Sequence, residues 1–318
     1  MNIVINLNKP RDITSQQAVI KVKKIFSARK AGHAGTLDPI ATGVLLVCLN
    51  EATKITGFLS DLNKEYVTRI KLGERTDTYD SAGRIVEKKN LHYLKEKDIQ
   101  RVLKGFKGHI KQIPPMYSAI KVRGKPLYKL ARKGEDIQRT ERLVHIYSIE
   151  LLNLTPPYLD LKVNCSKGTY IRTFCDDIGN VLGVGAHMFS LERTRIGKFR
   201  VEDSTTIEEI NTKKEAYHSI DSALSHLNEI ILDEDSFYRA KNGVPIMAPI
   251  KAFIKNSDTK DGENNPPIPP LTKGGKGGFD KLYINQYVRL KNPENILFAI
   301  GKVEGKTLKI QRLLKTIY

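Results

Sequence analysis

The sequence predicts an α+β protein, with helices and strands mixed over residues 1–228 and a smaller β-rich domain over 229–318. Three observations carry that expectation. Apolar or half-buried residues alternate strictly at Tyr66, Thr68, Ile70 and Leu72 and again at Leu159, Leu161, Val163 and Cys165, the two-residue period of a strand with two different faces. Helical stripes lie among those strands: Ala18, Val22, Ile25 and Phe26; Ile99, Val102, Leu103 and Phe106; Ile171, Phe174, Ile178 and Leu182. Beyond Asn228 the texture becomes short strands and turns, as at Asn242-Gly243 and Gly301-Lys302-Val303-Glu304-Gly305, which reads as a small all-β unit.

A chain of 318 residues with 40% hydrophobic content can bury a sizeable core. No stretch of about 18 apolar residues occurs and the N-terminus lacks a signal-peptide layout, so the expected setting is cytoplasmic, with no membrane. Cys48, Cys165 and Cys175 are odd in number and lack ligand spacing, which predicts reduced, buried thiols and no metal. Lys and Arg number 53 against 35 Asp and Glu, a net charge of +18. That excess predicts a polyanionic partner, with solvated lysines or an acidic membrane surface as the plain alternatives, the latter disfavoured by the lack of an amphipathic anchor.

Taken in order, Ile3-Val4-Ile5 and Leu7 form a strand stopped by Lys9-Pro10. Thr14, with Gln17 three residues on, caps the first helix, whose other side carries Lys21, Lys23, Lys24, Arg29 and Lys30. That basic face leads into the stretch around which the chain is organised, Gly32-His33-Ala34-Gly35-Thr36-Leu37-Asp38-Pro39-Ile40-Ala41-Thr42-Gly43, followed by the apolar run Val44 to Leu49. Pro39 pushes Asp38 out of the α region, so the stretch reads as a tight loop feeding a buried strand. A carboxylate on a stiff turn beside an imidazole suits a nucleophile, a base or a metal ligand, or else a plain Asx turn.

Glu51 to Leu62 reads as a helix, and Tyr66 opens the next strand. Residues 72–83 suit hairpin chemistry; their acids lack the glycine position and later glutamate of a calcium loop. Residues 112–142 begin with a proline pair and hold eight Lys or Arg against three acids from 121 onward, interleaved with Tyr117 and Tyr128. Basic chains for phosphates with rings that stack on bases suit an RNA-contacting excursion. Two strands follow over 143–165, then a helix from Tyr170 that sets Arg172 in its first turn, extended chain over 191–199, and helical cover over 205–227. Residues 255–280, rich in Pro, Gly and Lys, read as a disordered loop.

Five stretches together resemble the TruB-type tRNA pseudouridine synthases: KPRDITS at 9–15, GHAGTLDPIATG at 32–43, KLGERTDTYD at 71–80, QIPPMYSAIKVRGKPLY at 112–128, and CSKGTYIRT at 165–173 with LERTRIGKF at 191–199. Asp12 stands where the family commonly has Gly, and Asp tolerates left-handed backbone well enough to keep the turn. The resemblance implies a mixed, largely antiparallel sheet flanked by helices, with a PUA-like RNA-binding tail over 229–318.

It also implies a reaction: isomerisation of the T-loop uridine of tRNA, position 55, to pseudouridine after base flipping, without cofactor or metal. Asp38 would be the essential carboxylate and Arg172 its partner. Tyr66 would stack on the target base near the C5 proton, Tyr170 would line the pocket, Leu191 would contact the flipped base, and His33 would fill the space it leaves. Lys125, Lys129 and Arg132 in the 112–142 excursion would meet the RNA backbone. A monomer with no obligate protein partner is expected. Two other readings stand beside this one: a tRNA-binding folding chaperone, and a guide-RNA-dependent synthase acting on ribosomal RNA.

Overall fold

The computed structural model describes the chain except residues 92–93, 119, 123, 132, 136, 248–285 and 316–318. Strand β1 (Ile3–Lys9) ends at Pro10, and helix α1 (Ser15–Ile25) starts behind the expected capping box, with the Thr14 hydroxyl accepting from the Gln17 amide and Gln17 Oε1 accepting from the Thr14 amide at 2.8 Å. Ala18 and Val22 are buried on α1 and Phe26 packs against the same core, edge-on to Tyr217, as expected, whereas Ile25 at the end of the helix is exposed and Val19 is buried instead. Strands β2 (Ala31–His33) and β3 (Thr42–Leu49) flank the glycine-rich loop. The helix expected over 51–62 is divided into a 3-10 segment at 50–55 and α2 (Thr56–Ser60). Thr53 and Thr56 donate their hydroxyls to the carbonyls three residues back, which tightens the turn.

Strand β4 (Lys64–Leu72) precedes the hairpin of β5 (Glu74–Thr76) and β6 (Ile85–Lys88); α3 (Glu96–Gly105) and β7 (Gly108–Gln112) follow. The basic excursion holds β8 (Lys121–Val122), β9 (Lys125–Pro126) and α4 (Leu127–Ala131). Then come β10 (Arg142–Thr155), β11 (Tyr158–Cys165), α5 (Ile171–Val181), β12 (Ala186–Ile196) and β13 (Phe199–Arg200). The helical cover expected over 205–227 does not form. Turns held by Thr206 and Thr212 hydroxyls lead instead to β14 (Tyr217–Ser219), which pairs with β1, and to the single-turn α6 (Ile220–Ala223).

The large sheet runs β14-β1-β3-β12-β4-β11-β10-β7, with β2 beside β3 and β13 beside β12; among its described strand pairings only β3 with β12 is parallel. It is the mixed, largely antiparallel sheet that the resemblance implied. β3 is apolar on both faces. Leu45, Val47 and Leu49 pack with Ala18 and Val22 of α1, Ile99 of α3 and Phe174 of α5, while Val44, Leu46 and Cys48 pack with Ile55, Leu59 and Phe199. Burying each large aliphatic chain is worth about 1.5–3 kcal/mol, and this double burial makes β3 a rigid platform for the loop before it. The three cysteines are free and buried, and burial pushes the Cys48 and Cys165 thiols up to about 12, so they are inert packing groups.

A second sheet contains β15 (Asn228–Ile231), β16 (Ile246–Met247), β17 (Tyr287–Lys291), β18 (Leu297–Glu304) and β19 (Thr307–Leu313) in the order β15-β17-β18-β19-β16. It is not all β: α7 (Glu234–Lys241) packs on it, capped by Asp233, which accepts from the Ser236 amide at 2.8 Å. Ile300 and Leu314 join the core on the second face of the large sheet, and Arg289 and Lys291 pair with Asp221 and Glu229 at 2.6–3.2 Å. The loop expected over 255–280 lies outside the described residues. No described helix is long and apolar enough to cross a membrane.

Candidate active site

The glycine-rich loop is fixed from three sides. Gly35 and Gly43 take positive φ of 101° and 96°, which side-chain-bearing residues rarely adopt. At the first residue of α1, buried Ser15 donates its hydroxyl to the Leu37 carbonyl at 3.0 Å and accepts from the Leu37 amide at 2.8 Å. Lys9, wholly buried, donates to the carbonyls of Pro10, Ile13 and Pro39, and the Asp12 amide also reaches Pro39 at 2.8 Å. Asp12 has a φ of 66°, so the turn survives in left-handed form as its residue type predicted. From β12, Arg193 donates to the carbonyls of Gly35, Thr36 and Val44.

Asp38 projects from this frame onto Arg172. The guanidinium meets both carboxylate oxygens, Nε to Oδ2 at 2.9 Å and Nη2 to Oδ1 at 3.0 Å, a fork that fixes the carboxylate plane. Arg172 is 6% exposed and sits in the first turn of α5, whose start is held by Gln112: its Oε1 accepts from the Tyr170 amide and its Nε2 donates to the Tyr170 carbonyl. Arg172 also donates to the Tyr117 carbonyl at 2.7 Å and stands 3.7 Å from Asp80, which accepts from the Thr78 hydroxyl at 2.6 Å. One arginine therefore lies between two carboxylates. Burial raises the Asp38 carboxyl above the usual carboxylate range, and the Arg172 charge pulls against that rise.

Asp38, Tyr66, Tyr170, Arg172 and Leu191 line one cavity of about 290 Å³, at the lower end of the volumes that hold small ligands. Tyr66 on β4 and Leu191 on β12 are buried walls, and burial pushes the Tyr66 and Tyr170 phenols up. His33 lies on β2 outside the lining; its ring Nδ1 is buried without a hydrogen-bond partner, and burial holds it below the ordinary histidine range. Lys125 and Lys129 are exposed on the excursion and do not line the cavity, whereas Tyr117 and Ser118 from the same excursion do. Arg132 lies outside the described residues.

Lys9, Lys64, Asp80 and Arg193 belong to this neighbourhood and carried no role in the sequence reading. Lys64 lines the cavity, donates to the Leu62 and Ser60 carbonyls, and is pushed down to about 8 by burial. Asp80 read only as turn chemistry, and Lys9 only as the end of a strand. For Arg193 one signal existed: it falls two residues after Leu191 and so on the same face of a strand.

This arrangement supplies one oriented carboxylate, a cation holding it, an aromatic ring and a restricted cavity on a mixed sheet. Fold and site together define a pseudouridylate synthase, for the TruB family pseudouridylate synthase N-terminal domain matches residues 23–171 and the tRNA pseudouridylate synthase B C-terminal domain matches residues 172–237. The tRNA pseudouridine synthase B of Clostridium acetobutylicum is 44% identical over 316 residues, covering 99% of this chain and 100% of the relative. That of Clostridium tetani is 48% identical over 248 residues, covering 77% and 86%. A solved Cbf5-Nop10-Gar1 complex contains a chain superposing with a TM-score of 0.71 at 26% identity, over 98% of this chain and 84% of that one. The chain belongs to the TruB family of pseudouridylate synthases.

Proposed function

We propose that this protein isomerises the T-loop uridine at position 55 of tRNA to pseudouridine, as a cytoplasmic monomer that needs neither metal nor redox cofactor. The observation that carries the reading is the forked Arg172 pair on Asp38 inside a cavity that Tyr66, Tyr170 and Leu191 wall. The target base leaves the loop stack to enter this cavity, with His33 filling the space it vacates. Asp38 attacks or stabilises the substrate as the N1 glycosidic bond breaks, the detached base turns, and C5 bonds to the ribose. Two carboxylates serve ordinary glycosidases because water must be activated; here the base is recaptured, so a single Asp suffices once water is excluded.

Tyr66 stacks on the base near the C5 proton that must leave, Tyr170 lines the pocket, and Leu191 holds the flipped base. The excursion over 112–142 closes on the T-arm, with Lys125, Lys129 and Arg132 meeting phosphates; the Tyr117 carbonyl on Arg172 links that excursion to the site. Residues 229–318 act as a PUA-like module beyond it. Release of tritium from C5 of uridine in an unmodified tRNA transcript tests the reaction. Release by the wild type, lost in Asp38→Asn and lost when the T-loop uridine is replaced, is expected; tight tRNA binding without release would refute it.

A further inference from the structure

Arg193 is the largest fully buried side chain among the described residues, 1% exposed, and among those residues it meets no carboxylate at ion-pair distance. Burying an arginine without a counter-ion is costly, so what its donors do instead is informative. Nε reaches the Val44 carbonyl at 2.7 Å, Nη2 the Gly35 carbonyl at 3.0 Å and Nη1 the Thr36 carbonyl at 3.4 Å, so the fork grips the Asp38 loop on both sides of the carboxylate. Arg193 stands opposite Gly43 on β3 and opposite Tyr66 on β4. Gly43 is the only residue type that fits there, since a Cβ would lie 2.3 Å from the Arg193 carbonyl oxygen.

We infer that Arg193 is a positioning residue for the isomerisation, locking the Asp38 loop to β12, the strand whose backbone pairs with β4 at Tyr66, so that carboxylate and ring keep a fixed separation across the cavity. The inference rests on the isomerase reading above. It acts through its two neighbours, and its charge also opposes the effect of burial on the Tyr66 phenol. Lysine retains the charge but offers no planar fork, so Arg193→Lys separates position from charge.

The test uses the full chain, with Arg193→Lys and Arg193→Met. Single-turnover rate on a tRNA transcript, Kd for that transcript and melting temperature are measured separately. Arg193→Lys is expected to melt within a few degrees of wild type, to bind within about threefold, and to turn over about a hundredfold more slowly, the cost of misplacing a reacting group by about 1 Å. In Arg193→Met the Tyr66 phenol, followed by carbon-13 NMR and assigned with Tyr66→Phe, is expected to titrate at higher pH. A wild-type rate in Arg193→Lys, or rate and affinity falling by the same factor, would overturn the inference. Amide exchange at Gly35 and Leu37 gives a readout independent of turnover: faster exchange in Arg193→Lys supports the clamp and unchanged exchange overturns it. A wild type that binds tRNA without releasing C5 hydrogen refutes the isomerase reading instead.

Discussion

Arg172→Met removes the cation between Asp38 and Asp80 while keeping an unbranched chain of similar length. Losing one member of a buried pair costs about 3–5 kcal/mol. Asp38 keeps 31% of its side chain exposed, so water recovers part of that, and the expected loss is about 2–3 kcal/mol. For a domain of this size that lowers the melting temperature by roughly 4–12 °C. The sign of the pH dependence follows from the direction of the Asp38 shift. Its carboxyl sits above the ordinary range in the folded protein, so the folded state favours the proton; stability from this group is full at acid pH and is lost as pH rises through the folded value. Without Arg172 the shift grows, and the deficit of the variant should be smaller near pH 4.5 than near pH 8. Urea unfolding at both pH values measures it. If the same 2–3 kcal/mol is lost from the transition state, turnover at pH 7 falls about 30- to 150-fold with tRNA affinity little changed. A deficit equal at both pH values, or turnover within threefold of wild type, would refute the reasoning.

Tyr66→Phe should slow single-turnover chemistry by about a hundredfold or more, the lower end of a lost acid–base contribution, while changing tRNA affinity less than about twofold; equal losses in both would remove the hydroxyl from the mechanism. Neutralising Lys125 and Lys129 to Gln should weaken binding and flatten the slope of log affinity against log salt by about one unit per lost phosphate contact, and an unchanged slope would mean that these chains do not touch RNA. Gly43→Ala combines a positive φ with a Cβ 2.3 Å from the Arg193 carbonyl oxygen, so β3 and β12 must part. Calorimetry should find a stability loss of about 3–4 kcal/mol, and a loss under about 1 kcal/mol would mean that the contact relaxes freely.

The parts of this fold that could be read from residue order are those governed by local rules. The Thr14–Gln17 box, the alternation at 66–72 and 159–165 and the non-helical turn at Asp38-Pro39 each depend on neighbours a few residues away, and each appears as expected. The failures have a common origin in distant partners. Residues 205–227 have an acceptable helical pattern, but the open edge of β1 claims 217–219 as a strand. Asp80 reads as a turn residue until α5, some ninety residues later, brings Arg172 beside it. Arg193 and Lys9 look like surface charges, because residue order does not show that carbonyls of the Asp38 loop or of β3, three for Arg193 and that of Pro39 for Lys9, will meet a buried cation.

The position of β12 has a consequence for how the enzyme comes into being. It lies between β3 and β4, yet it is made more than a hundred residues after either. A chain made only as far as Cys165 contains the strands on either side, β1 with β2 and β3, and β4 with β11, β10 and β7, but not the strand that pairs with both inner edges. Asp38 belongs to one side and Tyr66 to the other. Insertion of residues 186–196 into that gap is a long-range event of the kind that slows folding, and it is also the step that creates the cavity. Until it occurs Asp38 and Tyr66 have no cavity between them to line.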